Sequence, residues 1–292
     1  RIQPQEYLLI EQLNFRFAPT EAGKTVTLGF ARVRNTSTTQ VLRSAKNESA
    51  EGDADGVEHT VVIGAGGIVN YERRTHVRFH NIAINPAKLD KVTWEDFKKD
   101  PQPTFLRLSK LLDGDSEPAR KFIRDTLGED YREKLTPFAA AKRLFRAIKA
   151  QFYYEVTDIY LPSTVLQSKR GQCTAGARLM CALLRQIGIP ARTVGGFFVY
   201  QSGKGHEGHQ MCEFYFPNIG WIPCDPTPDE HPQPGGNLYQ FGYQWQTNQL
   251  WAGYADAALY ETGVRTGLLR GPKPIAHDAK YTLQKLNEPK TP

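Results

Sequence analysis

Between residue 6 and about residue 90, short runs of β-branched and aromatic residues alternate with clusters of Gly, Asn, Ser and Asp. The runs are Tyr7-Leu8-Leu9-Ile10, Val26-Thr27-Leu28, Ala31-Arg32-Val33, His59-Thr60-Val61-Val62-Ile63 and His76-Val77-Arg78-Phe79. Each is too short for an ordinary helix and is bounded by turn-forming residues, so the pattern predicts a β-rich N-terminal region. The polar stretch 44–56 predicts an exposed loop. Gly64-Ala65-Gly66-Gly67 follows a strand, but the next glycine position of a nucleotide loop is Val69 and no apolar helix opens after it. A hairpin turn is the expectation there.

The period changes after residue 90. Thr93-Trp94-Glu95-Asp96 marks a helix start. Ser116-Glu117-Pro118 places Pro in a first turn ahead of Phe122, Ile123 and Leu127 at helical spacing. A longer helix is predicted after Thr136-Pro137, with Ala140, Leu144, Phe145, Ile148 and Phe152 on one face, and Leu161-Pro162-Ser163 is expected to break the chain. Cys173 then opens a helix whose buried stripe is Leu179, Met180, Leu183, Leu184 and Ile187, ended by Gly188-Ile189-Pro190. Three strands are predicted next: 191–200, 209–216 and 221–225, the last two joined by the turn Pro217-Asn218-Ile219-Gly220. From about 237 the chain reads as loop-like and aromatic, with Tyr239, Phe241, Tyr243, Trp245, Trp251 and Tyr254 expected to pack over the core or line a peptide or carbohydrate groove. Residues 272–292 read as a surface tail with one weak helical stretch. The expected organisation is a β-rich domain over 1–90, a central domain over 91–236 and an extension over 237–292. Within the central domain, 91–150 is helical and 150–236 is the core.

Composition narrows the function classes. The 292 residues carry a formal charge of +6, and the basic residues stand beside acids as on solvated helices, so no nucleic-acid partner is expected. No apolar run is long enough to span a membrane. The chain begins at Arg1 rather than Met, so an N-terminal piece is expected to have been removed, which leaves a cytoplasmic or an exported location open. Four cysteines without a CxxC pair support neither a disulfide framework nor a zinc ribbon. No D-x-D-x-D-G loop is present, and neither calcium nor any other cofactor is expected.

Cys173 at the first turn of a helix lies where the helix dipole favours the thiolate. Gly171 just before it is expected to allow a substrate backbone to come close. His209 and Asp225 sit on neighbouring strands of one hairpin, at the same end, so an imidazole–carboxylate contact is within easy reach. Such a trio activates a thiol: the imidazole takes its proton and the carboxylate fixes the tautomer. The bland alternatives are a buried thiol, a strand histidine and a capping acid. His206 competes for the base role, and His206-Glu207-Gly208-His209 lacks the spacing and further ligands of a metal site. The Cys173 N–H is a natural oxyanion donor, and Gln167, six residues upstream at a spacing that resembles papain-like enzymes, is considered as a second. Cys181, Cys212 and Cys224 read as small buried hydrophobes, the last two as cross-strand neighbours with a thiol pair as the default.

Three blocks occur in order: G-Q-C-x-x-x-A-x-L-x-x-A-L-L-R-x-x-G-I-P-A-R-x-V-x-G from Gly171, H-x-x-x-E-x-Y from His209 and G-W-x-P-x-D-P-T from Gly220. Over roughly 150–230 the sequence resembles the transglutaminase-like superfamily, whose Cys, His and Asp fall on Cys173, His209 and Asp225. The resemblance implies an α+β, papain-like core and thiol-ester chemistry on amides of a protein or peptide substrate, as a cysteine protease, amidase or acyltransferase. Through these resemblances, Gln167, Tyr154 and Trp221 are the candidate substrate-binding residues. Met211 stands where that family usually has Trp. The rival expectation is a non-catalytic peptide- or carbohydrate-binding scaffold that keeps the fold.

Overall fold

A computed structural model describes residues 5–31, 39–43, 56–79, 82–199, 206–232, 241, 243–244, 249–250 and 267–286. The N-terminal third is built from strands β1 (Gln5–Arg16), β2 (Thr25–Ala31), β3 (Thr39–Arg43), β4 (Gly56–Val62), β5 (Ile68–Phe79) and β6 (Ile82–Ala83). Helices α1 (Pro86–Leu89), α2 (Trp94–Lys99), α3 (Glu117–Leu127), α4 (Tyr131–Lys134) and α5 (Pro137–Gln151) follow. The centre of the chain runs β7 (Tyr153–Tyr154), α6 (Pro162–Ser168), β8 (Arg170–Gly171), α7 (Cys173–Gln186), β9 (Ala191–Val199), β10 (His206–Phe216) and β11 (Gly220–Cys224). Short strands β12 (Tyr243–Gln244) and β13 (Gln249–Leu250) precede β14 (Gly267–Arg270) and β15 (Ala276–Lys285). The molecule is thus α+β, with the strand-rich N-terminal region expected. Most of 44–56 and most of the aromatic cluster lie outside the described residues.

Two antiparallel sheets, in the orders β15-β1-β5-β3 and β14-β2-β4, form the β-rich part. Strand β1 alternates: Leu9, Leu13 and Phe15 are buried while Leu8, Ile10, Gln12 and Asn14 are half-exposed, the two-residue period of a sheet with one covered face. Leu13, Phe15, Phe17, Val26, Leu28, Ile63 and Val69 make the small core beneath it. Two expectations change here. The Gly64-to-Gly67 segment is a 3₁₀ turn passing from β4 to β5, strands that pair in different sheets, and not a hairpin. Gly67 has φ +77°, and a Cβ there would stand 2.3 Å from the Phe17 carbonyl oxygen. Residues 272–292, read as a tail with a weak helix, instead supply β15, which pairs with β1 from Tyr7↔Lys285 to Arg16↔Ala276. Edge-strand pairing along a ten-residue register overrides the weak local helical signal.

The larger core lies under α5 and α7, which pack together and bury Phe138, Leu144, Phe145, Leu179, Leu183 and Leu184 with Phe214 and Phe216 of β10. Helix α5 starts where Thr136 caps it, its hydroxyl accepting from the Ala139 N–H at 3.1 Å, with Pro137 following. Its predicted face is buried throughout. All five stripe residues of α7 are buried, and Gly188 at φ +90° ends the helix. Pro162 does not break the chain as expected. It occupies the first turn of α6, where a missing N–H costs nothing, and Lys169 at φ +58° terminates that helix.

The sheet carrying the candidate chemistry has the order β11-β10-β9-β13. Arg192 on β9 faces Glu213 on β10 in direct register. Their side chains form a buried ion pair, the guanidinium donating from Nη2 at 2.6 Å and from Nε at 2.8 Å to Glu213 Oε2. Phe241 bridges to Cys224 and its ring lies 4.9 Å from that of Phe145 and 5.5 Å from that of Phe214. This member of the aromatic cluster therefore covers the core.

Candidate active site

The strand β8, Arg170–Gly171, delivers the chain to α7. Gln172 is extended at φ −94° and ψ −170°, and Cys173 is the first helical residue. Gly171 is buried, and a Cβ on it would meet the Ala175 Cβ at 2.4 Å. Its role is to let the chain turn tightly against α7, which corrects the expectation of an approach route for substrate. Gln172 had drawn no role from the sequence. Its amide donates to the Tyr160 hydroxyl at 3.0 Å and to the Thr157 carbonyl at 3.2 Å, tying the 157–160 loop to the residue before the sulfur.

Across from α7, the β10–β11 register sets Cys212 opposite Cys224. Asp225, the residue after β11, therefore falls beside the Met211 level, two residues from His209. The turn between the strands uses Asn218 at φ 61° and Gly220 at φ 100°. His209 Nε2 lies 2.7 Å from Asp225 Oδ2. The second carboxylate oxygen, Oδ1, accepts the Thr227 N–H at 3.0 Å and the Thr227 hydroxyl at 2.5 Å. With Nε2 on the acid, Nδ1 is the ring nitrogen left for Cys173, with which His209 shares a hydrogen bond. The Gln210 backbone and the Thr174 side chain also help to lower the thiol.

The electrostatics follow from these contacts. Burial works against a charged imidazole, but the bonds to Asp225 and Cys173 overcome it and push His209 from 6.5 up to about 10. Burial likewise opposes a thiolate and a carboxylate. The imidazole nevertheless holds Cys173 below its ordinary value, and His209 with Thr227 holds Asp225 below the usual carboxylate range. The three groups are therefore biased toward a thiolate–imidazolium pair beside a carboxylate.

Gly176 explains how the acid comes close to the helix. A Cβ there would stand 2.7 Å from the Pro226 carbonyl oxygen, so only glycine lets the Asp225–Pro226–Thr227 segment lie on the second turn of α7. Met211 is buried with Val194 on the His209 face of the sheet. The side chain of the rival His206 lies outside the described residues.

The candidate substrate-binding residues separate. Tyr154, on β7, pairs with Gly171 two residues before Cys173, and it is partly exposed. Gln167 instead lines a cleft of about 400 Å³ with Glu117, Phe122, Asp125 and Lys169, and none of the trio lines that cleft. Helical spacing on α6 turns it toward α3. Trp221 is committed to packing: the Arg192 guanidinium lies 3.9 Å from its ring centroid, with Phe105 at 4.8 Å and Tyr215 at 5.5 Å. Cys181, Cys212 and Cys224 are buried free thiols, and burial pushes Cys212 well above its ordinary value. Among the described residues, no group of three or more His, Cys, Asp or Glu is disposed to hold a metal ion, and no helix is long and apolar enough to cross a membrane.

Residues 125–226 match the family model of the transglutaminase-like superfamily. In sequence, the chain is 31% identical to the uncharacterized protein YebA of Bacillus subtilis (strain 168) over 99 residues, a match that takes in 26% of this chain and 13% of that protein. It spans far less than two thirds of that relative. Among solved structures, a candidate cysteine protease from Cytophaga hutchinsonii superposes with a TM-score of 0.61 at 15% identity, covering 99% of this chain and 93% of that one. That likeness is one of fold. The periplasmic domain of TgpA from Pseudomonas aeruginosa is similar more loosely, with a TM-score of 0.38 at 15% identity over 75% of this chain and 87% of that one.

Proposed function

Because residues 125–226 carry a transglutaminase-like core, we propose that this protein is a thiol-dependent enzyme acting on amide bonds, with Cys173 as nucleophile, His209 as proton carrier and Asp225 as the group that orients it. The observation that carries the reading is the His209–Asp225 contact at 2.7 Å with Cys173 on the other side of the imidazole, an arrangement that holds the sulfur below its ordinary pKa and raises the imidazole to about 10. The family and the fold support the broader class of thiol-dependent hydrolases and acyltransferases.

The reaction runs in two halves. The Cys173 thiolate attacks the carbonyl carbon of a peptide or glutaminyl amide, and the C=O electron pair moves to oxygen. The first N–H of α7, on Cys173 itself, faces that developing charge. Collapse breaks the C–N bond, and His209 gives its proton to the departing nitrogen, leaving a thioester. Water or an amine then attacks the thioester carbonyl while His209 takes up its proton, and the thiolate leaves. Water yields an acid and an amine yields a new amide. We favour hydrolysis. Tyr154, at the wall next to Gly171, is the candidate substrate contact.

The test is incubation with a mixture of glutamine-containing peptides and a small primary amine, read by mass spectrometry. The expected products are cleaved, deamidated or amine-coupled peptides formed by wild type and not by Cys173→Ala. Identical product patterns for the two proteins, or none from either with a thiol that labels no faster than free cysteine, return the chain to the non-catalytic scaffold reading.

A further inference from the structure

Helix α5 carries a lysine where its apolar stripe should continue. Lys149 lies one turn beyond Phe145 and is 5% exposed. Its ammonium donates to the Thr227 carbonyl at 2.5 Å and to Asp229 Oδ1 at 2.6 Å. Burying a cation is unfavourable unless it is paired and hydrogen-bonded, so an apolar residue would fill this place at lower cost. What the cation grips is the stretch immediately after the candidate triad acid.

Thr227, one of its two partners, donates its N–H at 3.0 Å and its hydroxyl at 2.5 Å to Asp225 Oδ1, leaving Oδ2 for His209 at 2.7 Å. Asp229, the other partner, accepts the Tyr154 N–H on its backbone carbonyl at 3.0 Å. Glu155, the residue after strand β7, then donates its N–H to the Gly171 carbonyl at 3.2 Å, two residues before the sulfur. One ammonium therefore holds both ends of a short bracket. One end aims the carboxylate, and the other fixes the wall beside the nucleophile.

We propose that Lys149 is a positioning residue that sets the Asp225 carboxylate and the β7 wall together; this rests on the reading of Cys173 as nucleophile. Without the ammonium, the Thr227 carbonyl and the Asp229 carboxylate lose the group that draws them onto α5. The segment relaxes toward water, Thr227 no longer presents both donors to Asp225, and the imidazolium loses a fixed counter-charge. The thiolate fraction of Cys173 falls as a result, although Lys149 touches neither sulfur nor ring.

The experiment uses the full chain and iodoacetamide across a pH series, with the Cys173 adduct read by peptide mass spectrometry. Wild type is expected to titrate below the free-thiol range. Lys149→Met, which keeps length and removes charge, is expected to move the midpoint up and, at a pH below both midpoints, slow labelling about tenfold for each unit moved. Lys149→Arg, which can still donate to both oxygens, is expected to recover part of the loss. Hydrogen exchange separates the two ends of the bracket: Lys149→Met should lose protection at the Tyr154 amide, whereas Thr227→Val should shift the labelling midpoint and keep that protection. A Lys149→Met protein with the wild-type midpoint overturns the proposal. If Lys149→Met does not fold, Lys149→Gln and Asp229→Ala replace it, and unmoved midpoints in both overturn the proposal equally. A wild-type Cys173 that titrates like free cysteine removes the nucleophile reading and this inference with it. A low wild-type midpoint insensitive to Lys149 removes this inference alone.

Discussion

Replacing Arg192 by Met leaves Glu213 fully buried and without the two guanidinium bonds at 2.6 and 2.8 Å. Breaking a buried pair from one side costs about 3–5 kcal/mol, because the remaining charge keeps its desolvation penalty and loses its partner. At about 2–4 °C per kcal/mol for a chain of this size, the melting temperature should fall by about 6–20 °C. The double variant Arg192→Met/Glu213→Leu removes both charges and should recover more than half of that loss. Arg192→Lys keeps the charge but not the two-pronged donor, and should fall between. Thermal unfolding followed by tryptophan fluorescence reads this directly, since Trp221 lies 3.9 Å from the guanidinium. A single variant within about 2 °C of wild type, or a double variant no better than the single, refutes the argument that desolvation decides the sign.

Other outcomes follow from the site. Gly176→Ala should push Pro226 off α7, costing about 1–3 kcal/mol as overpacking does, with a disproportionate loss of Cys173 alkylation rate. In native protein, iodoacetamide should label Cys173 alone, because Cys181, Cys212 and Cys224 are buried; all four should label in denaturant, as counted by intact mass. The His209 contribution to stability is complete below its ordinary 6.5 and is lost as pH climbs through about 10. The Asp225 contribution is complete above its ordinary 3.8 and is lost as pH falls through its lowered value. On a Cys173→Ala background, where no thiolate offsets the imidazolium proton, urea midpoints measured from pH 7 to 10 should decline more steeply with Asp225 than with Asp225→Asn, and equal slopes would sink the pairing.

Much of this arrangement is legible in the sequence because it is local. The α7 stripe, the glycine that ends that helix and the Asn218–Gly220 turn each follow from a few neighbouring residues. The motif letters Arg192 and Glu213 also find a physical account, since the strand register sets them opposite one another. What escaped reading depends on distant partners. Lys149 interrupts an apolar stripe, which is a visible signal, but its purpose depends on carbonyl and carboxylate oxygens some eighty positions away. Gly176 looks like any helix glycine until the Pro226 segment lies on it. Strand β15 was misread because Ala276 to Lys285 is polar enough to suit a surface helix, and only the waiting edge of β1 decides the matter. Gln167 and Trp221 were plausible by residue type, and neighbours on α3 and β9 claimed them.

The pairing of β1 with β15 has a consequence for how the molecule is made. The sulfur-bearing core is drawn from one continuous stretch of chain, whereas the sheet beside it is stitched from its first strand and a strand more than 250 positions later. On a ribosome, the segment with Cys173, His209 and Asp225 emerges and can collapse while β1 still waits for its outer neighbour. The flanking sheet is sealed last, and a premature stop after Leu250 but before Ala276 leaves a finished core beside an open edge.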